Sequence, residues 1–328
     1  MKKIRWGIVG PGNIARKFAK AVKNVECAEL AAVASRSLEK SLAFAKEYGI
    51  PHSFGSYEDM ASFDGIDAVY VATPHPFHKP CAEIFINAKK HVLCEKPICV
   101  NANQAQMLKD SAKKNGVFLM EAMWTKFLPA INEVKSMLQS GIIGDVMGIT
   151  ADFCYNAVDD VAERKIFKND LAGGGLLDVG VYGLHFVSYI LDMPPESINP
   201  VAYVKDGVDY HTCVSLKYPN GVIANISSAI AVEKPADAHV YGTNGRIRIP
   251  LFYGAKEFYV ISNGAEQKYS FPSIGDGFEE EIIESCNCIN NGNTESNTHP
   301  LDSSIEIIKQ MDYIRSVIGV KYPLEGEE

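Results

Sequence analysis

Two stretches of the chain carry side chains suited to proton and hydride chemistry. Cys94-Glu95-Lys96-Pro97 closes a short apolar run. A lysine there can relay or orient a proton, and burial or a second cation would lower its pKa. The competing reading is a surface lysine before a proline, and the position at a strand end is what favours chemistry. The second stretch runs Gly173-Gly174-Gly175-Leu176-Leu177-Asp178-Val179-Gly180-Val181-Tyr182-Gly183-Leu184-His185. If it is helical from Asp178, then Asp178, Tyr182 and His185 fall at i, i+4 and i+7 on one face. Asp178 would also stand at the helix N-terminus as its cap. His185 precedes an apolar return and suits a supporting or core role better than a catalytic one.

A third motif names a cofactor. Gly7-Ile8-Val9-Gly10-Pro11-Gly12-Asn13-Ile14-Ala15 ends a strand-like run and opens a helical one, so Gly10-x-Gly12-x-x-Ala15 reads as a dinucleotide fingerprint. The glycines let backbone approach a pyrophosphate, whose charge the helix N-terminus stabilises. A tight turn in a domain that binds no nucleotide is the bland alternative. An NAD-selective site places Asp or Glu at the end of the second strand. This chain reads Ala34-Ser35-Arg36-Ser37 there. Arg36 can stack on adenine and pair with a 2′-phosphate, and Ser35 and Ser37 add hydroxyls, so NADP(H) is expected and NAD(H) is possible.

These residues need a scaffold, and the pattern supplies one. Strands are expected at 4–10, 28–35, 67–73, 91–95 and 117–122, with helices at 12–24, 37–48, 78–89 and 101–115 between them. Short apolar strands joined by helices make a doubly wound parallel sheet whose ligand lies beyond the strands' carboxyl ends. Near residue 122 the grammar changes. A helix at 128–139 stops at Gly141. Strands follow at about 199–206, 209–218, 221–231, 236–242, 245–250 and 257–262, with Asn220-Gly221 and Asn244-Gly245 as two-residue hairpin turns. A polar loop at 288–299 precedes a closing helix at about 302–317. The fold expected is α/β: an N-terminal Rossmann domain over 1–122, then an α+β domain over 123–328 with a large, mostly antiparallel open sheet. The closing helix is expected to pack back on the first domain.

Bulk properties narrow the partners. With 328 residues, roughly two domains are expected at about 150 residues each. A composition 47% hydrophobic and 22% charged excludes wholesale disorder. The net charge of −8 argues against a nucleic-acid footprint. No run of eighteen apolar residues occurs and the basic start lacks a signal-peptide core, so a cytoplasmic protein without a membrane span is expected. The eight cysteines show no C-x-x-C spacing and read as reduced core thiols. His75-Pro76-Phe77-His78 lacks further ligands nearby, so no metal is expected. Asn225-Ile226-Ser227 fits the glycosylation pattern but lies in a strand-like run.

Taken together, the glycine fingerprint, Ala72-Thr73-Pro74-His75, Glu95-Lys96-Pro97 and the Asp-x-Gly-x-Tyr segment resemble the Gfo/Idh/MocA oxidoreductase family. Glu121-Ala122-Met123-Trp124-Thr125-Lys126-Phe127-Leu128-Pro129-Ala130, the Leu171–Asp178 run and Met311-Asp312-Tyr313-Ile314-Arg315 are similar to its dimeric dihydrodiol dehydrogenase and NADP-dependent xylose dehydrogenase branch. The resemblance implies Lys96 and Tyr182 as the catalytic pair, with Asp178 orienting substrate or tyrosine. Tyr182 would take a hydroxyl proton as hydride leaves the same carbon, helped by the Lys96 ammonium because a free phenol of pKa ~10 is a weak base. It further implies a cis Lys96-Pro97 bond. Cofactor contacts would come from Gly10, Gly12, Asn13, Ile14, Ser35, Arg36 and Ser37, together with Thr73, Pro74, His78, Glu95 and Lys96. Trp124, Phe153, Phe278 and His185 would border the substrate, core packing being the alternative for Phe278. Lys126 and Lys165 stand where the branch carries arginines. The expected activity is hydride transfer between NADP(H) and a sugar, polyol or vicinal diol in a homodimer or higher homo-oligomer. Two alternatives are a non-catalytic cofactor-binding sensor, and an enzyme such as a transhydrogenase or glycosidase that recycles bound cofactor.

Overall fold

The structure, a computed structural model, describes residues 2–160 and 164–323. The chain forms two units, residues 1–124 with 274–306, and residues 125–273 with 307–328. A division at 122 has the chain cross once between its two parts; here it crosses three times.

The first unit is built on six parallel strands. They are β1 (Ile4–Val9), β2 (Ala28–Ala34), β3 (His52–Phe54), β4 (Ala68–Val71), β5 (His91–Glu95) and β6 (Leu119–Ala122), in the order β3-β2-β1-β4-β5-β6. The order reverses at β1 and β4, the switch point where such sheets take ligands. Helices α1 (Asn13–Val22), α2 (Leu38–Tyr48), α3 (Tyr57–Ala61), α4 (His78–Asn87) and α5 (Ala102–Asn115) join the strands, and α8 (Phe278–Asn290) packs against α1. Strand β3 and helix α3 escape the sequence pattern because each is too short to show a period. Helix α8 also carries regular structure into the start of the polar stretch expected as a loop.

The core under the glycine turn is aromatic. The Phe18 and Tyr70 rings stack with centroids 3.9 Å apart, and Trp6 meets Phe18 edge-on at 5.5 Å. Caps set the helix ends: Asn101 Oδ1 accepts from Gln104 N–H at 2.9 Å to start α5, and Gly116 at φ 65° ends it.

The second unit carries an eight-stranded sheet: β7 (Val146–Cys154), β8 (Ser197–Lys205), β9 (Val208–Lys217), β10 (Ile223–Ala229), β11 (Ala238–Gly242), β12 (Gly245–Ile249), β13 (Glu257–Ser262) and β14 (Ala265–Ser270). Its order is β14-β13-β12-β11-β7-β10-β9-β8, and β7 pairs parallel to β10 within an otherwise antiparallel sheet. Helices α6 (Pro129–Gln139) and α7 (Val181–Leu191) belong to this unit, while α9 (Leu301–Ile318) begins in the first unit and continues in the second.

The turns differ from expectation. Between β9 and β10 only Gly221 takes positive φ (86°), and β11 and β12 are joined through Thr243-Asn244 rather than Asn244-Gly245. Positive φ at both turn residues occurs instead at Asp206-Gly207 (52° and 73°) and Asn263-Gly264 (53° and 76°). Asn225 lies in β10. All eight cysteines are free thiols. The stretch Asn169–Leu191 is long and apolar enough to cross a bilayer by length and composition, but 72% of its most apolar window is buried inside the protein, as suits a core helix.

Candidate active site

In the first unit, β1 delivers the chain to Gly10, whose φ of 87° suits glycine; a side chain there would press within 3.2 Å of the Ala72 carbonyl oxygen. A side chain at Gly12 would meet nothing within 4 Å, and no side chain caps α1. The amides around Asn13 and Ile14 are therefore free of a competing cap, as a bound phosphate requires. Beyond β2, Ser35 is buried and its Oγ accepts from Ser37 N–H at 3.3 Å, while Ser37 caps α2 through Lys40 N–H at 3.4 Å. The exposed Arg36 guanidinium lies 5.5 Å over the Phe77 ring. A cation and two hydroxyls with no carboxylate among them fit a phosphorylated adenosine ribose.

Lys96 is partly buried and follows the buried Glu95, with Lys96-Pro97 in the cis form. Glu95 Oε1 accepts the Tyr70 hydroxyl and Oε2 accepts Lys96 N–H at 3.1 Å; burial pushes the Glu95 carboxyl up. His78 is buried too, with Nδ1 2.8 Å from the Pro97 carbonyl and Nε2 2.8 Å from that of Thr73. Burial lowers the His78 pKa. The polar atoms of Glu95 and His78, two of the residues expected at the cofactor, strap the ends of β4 and β5 together. On the far side, Glu121 Oε1 accepts Ile98 N–H at 3.1 Å and Oε2 lies 3.1 Å from His299 Nε2. Thr73 and Pro74 follow the carboxyl end of β4. Trp124 and Phe278 stack with centroids 4.8 Å apart, and the Lys17 ammonium sits 5.8 Å over Phe278. Phe278 is 2% exposed, so packing accounts for most of its surface.

In the second unit, Asp178 is not a helix cap. It lies in a π-helical turn, Leu176–Gly180, and α7 begins only at Val181 with Gly180 before it. The wider turn breaks the 3.6-residue spacing that an α-helix from Asp178 would give. Helix α7 comes close to the sheet: a Cβ at Gly183 would stand 2.6 Å from Ile226 Cγ2, and one at Gly180 2.9 Å from Ser228 Oγ. Glycine at both positions seats Tyr182 at the sheet.

The Tyr182 ring lies 5.4 Å from Phe153 and 5.9 Å from Tyr253, while Phe153 and Tyr253 stack at 4.1 Å. Tyr155 donates to Asp178 Oδ2 at 2.7 Å. His185 is 1% exposed within α7. Lys126 is buried with its ammonium 5.9 Å over the Tyr189 ring, and Lys165 is exposed. Sequence reasoning missed Tyr155 and Tyr253. No local signal marked either residue, because the alternation along 146–154 that leads to Tyr155 is interrupted by glycine, threonine and aspartate.

A family model described as oxidoreductase family, NAD-binding Rossmann fold matches residues 4–123, and one described as GFO/IDH/MocA C-terminal domain matches residues 131–248. The chain is 34% identical to trans-1,2-dihydrobenzene-1,2-diol dehydrogenase of Mus musculus, covering 98% of each, and 32% identical to that of Homo sapiens with the same coverage. Among solved structures, aldose-aldose oxidoreductase from Caulobacter crescentus complexed with glycerol superposes with TM-score 0.88 at 25% identity, over 96% of this chain and 97% of that one. KijD10, a 3-ketoreductase from Actinomadura kijaniata with NADP and TDP-benzene, shares the fold with TM-score 0.86 at 23% identity, over 96% and 98%.

Proposed function

The chain belongs to the Gfo/Idh/MocA family of oxidoreductases, and from that premise we propose that it transfers hydride between NADP(H) and a vicinal diol borne by a sugar, a polyol or an aromatic dihydrodiol. The observation that carries the diol reading is the Tyr182 cluster: a phenol against the stacked Phe153 and Tyr253 rings, four residues after a carboxylate held by Tyr155. Flat apolar rings suit the carbon face of a ring substrate, while phenol and carboxylate suit its hydroxyls. The names of the dihydrodiol dehydrogenase relatives and the aldose-aldose oxidoreductase point to the same substrate classes.

Gly10, Gly12, Asn13 and Ile14 would hold the pyrophosphate, and Ser35, Arg36 and Ser37 the phosphorylated ribose. When bound, the nicotinamide supplies or accepts the hydride. In the oxidising direction Tyr182 takes the hydroxyl proton and the Lys96 ammonium favours its phenolate. Asp178 accepts a hydrogen bond from a substrate hydroxyl and so fixes which carbon is presented. Trp124 and Phe278 border the substrate, and His185 supports Tyr182 from within α7.

The protein is proposed to act in the cytoplasm as a homodimer. Strand register puts Val201, Tyr203, Ile223 and Tyr241 on one face of the eight-stranded sheet, exposed at 70%, 61%, 42% and 38%. Such a face suits a self-complementary interface. Sedimentation of wild type and of a V201E/Y203E variant tests it, with a dimer and a monomer expected.

The reaction is tested by offering sugars, polyols and dihydrodiols with NADP or NAD and following absorbance of the reduced nicotinamide. Reduction of NADP in preference to NAD by at least one diol is expected. Wild type that reduces neither cofactor with any diol overturns the reading. Cofactor that co-purifies and returns to its starting redox state after each turnover would place the chain with cofactor-recycling enzymes instead.

A further inference from the structure

The π turn that carries Asp178 follows three consecutive glycines, the residue type that loses most conformational freedom on ordering. A π turn is rare and loosely packed, so local propensity does not hold this one. The second unit holds it from two sides. Asp209 is fully buried in β9, and its Oδ2 accepts Leu176 N–H at 2.7 Å and the Thr212 hydroxyl at 2.9 Å. The glycine run lies hard against this carboxylate: a Cβ on Gly174, at φ 132°, would stand 2.0 Å from Asp209 Oδ1. At the other end of the run, the Tyr322 hydroxyl donates to the Gly173 carbonyl at 3.2 Å.

Tyr322 is fixed in turn by the closing helix. The buried Arg315 guanidinium lies 4.8 Å over its ring and donates to Asp312 at 2.6 Å. The Met311–Arg315 motif thus braces the residue that anchors Gly173. Between the two anchors the Asp178 N–H reaches back to the Gly174 carbonyl at 3.3 Å, and four residues after Asp178 comes Tyr182. Displacement of the run would move both side chains.

We propose that Asp209 and Tyr322, the latter backed by Arg315, are positioning residues that fix the π turn and through it the Asp178 carboxylate and the Tyr182 hydroxyl. The consequence for catalysis rests on the reaction proposed above; the positioning itself does not.

The test uses the full chain labelled with 13C at the tyrosine ζ carbon, with the Tyr182 signal identified by its loss in Y182F. D209N and Y322F each keep size and remove a charge or a hydroxyl. Both are expected to shift or broaden the Tyr182 signal. Both are also expected to lower kcat by about tenfold, the size of one hydrogen bond lost at a positioning group, while KM for NADP stays within about twofold. A Tyr182 signal identical to wild type in both variants overturns the proposal, even where their melting temperatures fall. Should D209N fail to fold, Y322F decides alone. Should wild type turn over no diol, the proposed reaction fails and the Tyr182 signal still decides the positioning.

Discussion

The hydroxyl of Tyr155 donates to Oδ2 of Asp178 across 2.7 Å, joining the end of β7 to the π turn before α7. Burial and the adjacent carboxylate both raise the Tyr155 pKa, so the phenol keeps its proton and serves as a donor. A donated hydrogen bond keeps the Asp178 carboxylate aimed.

Removing that donor therefore weakens catalysis without touching the nucleotide side. Y155F is expected to lower kcat by about tenfold, since a hydrogen bond to a charged group contributes about 1.5–3 kcal/mol and part is recovered from water. The NADP dissociation constant, read from cofactor fluorescence, should stay within about twofold.

Tyr182 is assigned the proton itself, so its loss should be larger. Y182F is expected to lower kcat by about 10²-fold or more with cofactor affinity kept. Because Lys96 is assigned to the same step, adding K96M to Y182F should depress kcat much less than the product of the two single effects. Steady-state kinetics of the four proteins check this, and multiplicative losses would separate the two residues.

The end of β2 is where cofactor choice is proposed to be made. Arg36 is exposed and stacked by Phe77, with Ser35 and Ser37 beside it and no carboxylate in the trio. R36A should raise KM for NADP by about 10- to 10²-fold, the range of a charged hydrogen-bonded pair, and change KM for NAD little. Equal effects on both cofactors would place Arg36 on the adenine rather than on a 2′-phosphate.

The first unit was readable because its signals are local. Five of its six strands are apolar runs, and Gly10-x-Gly12 stands where strand meets helix, so pattern and motif coincide. The second unit resists because its meaning lies in pairings far apart in sequence. Strand β7 pairs with β10 and β11, and its buried Ile149 and Ala151 sit among glycine, threonine and aspartate that blur the alternation. The π turn at Asp178 was invisible for a related reason: its anchor, Asp209, lies more than thirty residues downstream. Glu95 and His78 show the same limit in the first unit. Their residue types suggest cofactor contact, and only tertiary placement shows that their polar atoms also bind backbone and Tyr70.

Asp209 also gives the fold a pH signature. Burial pushes its carboxyl up to about 6, against the pull of its bonds to Thr212 and Leu176 and of the Arg315 charge that faces it from α9. The folded state therefore holds this proton more tightly than the unfolded chain, whose aspartates titrate near ~3.9. The stabilisation is complete below about pH 4 and is lost as pH rises through about 6, an amount of about 3 kcal/mol for roughly two pKa units. Urea unfolding of wild type and D209N from pH 4 to pH 7 checks the sign: the stability difference, wild type minus variant, should fall as pH rises. A difference that is flat or grows with pH would contradict the raised value.

Gly174 permits a sharper test of the same corner, because two penalties act there and can be separated. Its φ of 132° is hostile to any side chain, and its Cβ position overlaps Asp209 Oδ1. Gly221 also has positive φ, 86°, but a Cβ there meets nothing within 4 Å. G221A should therefore show backbone strain alone, about 1–2 kcal/mol. G174A should lose more, because either the carboxylate leaves Leu176 N–H and Thr212 or the glycine run moves away from it. Trimming the obstacle distinguishes the clash from the strain. In a D209A background, adding G174A should be less destabilising than in wild type, giving a negative coupling energy of about 1 kcal/mol or more in chemical denaturation. Additive losses would mean that Gly174 is required for its backbone angle alone and that the carboxylate does not bear on the turn.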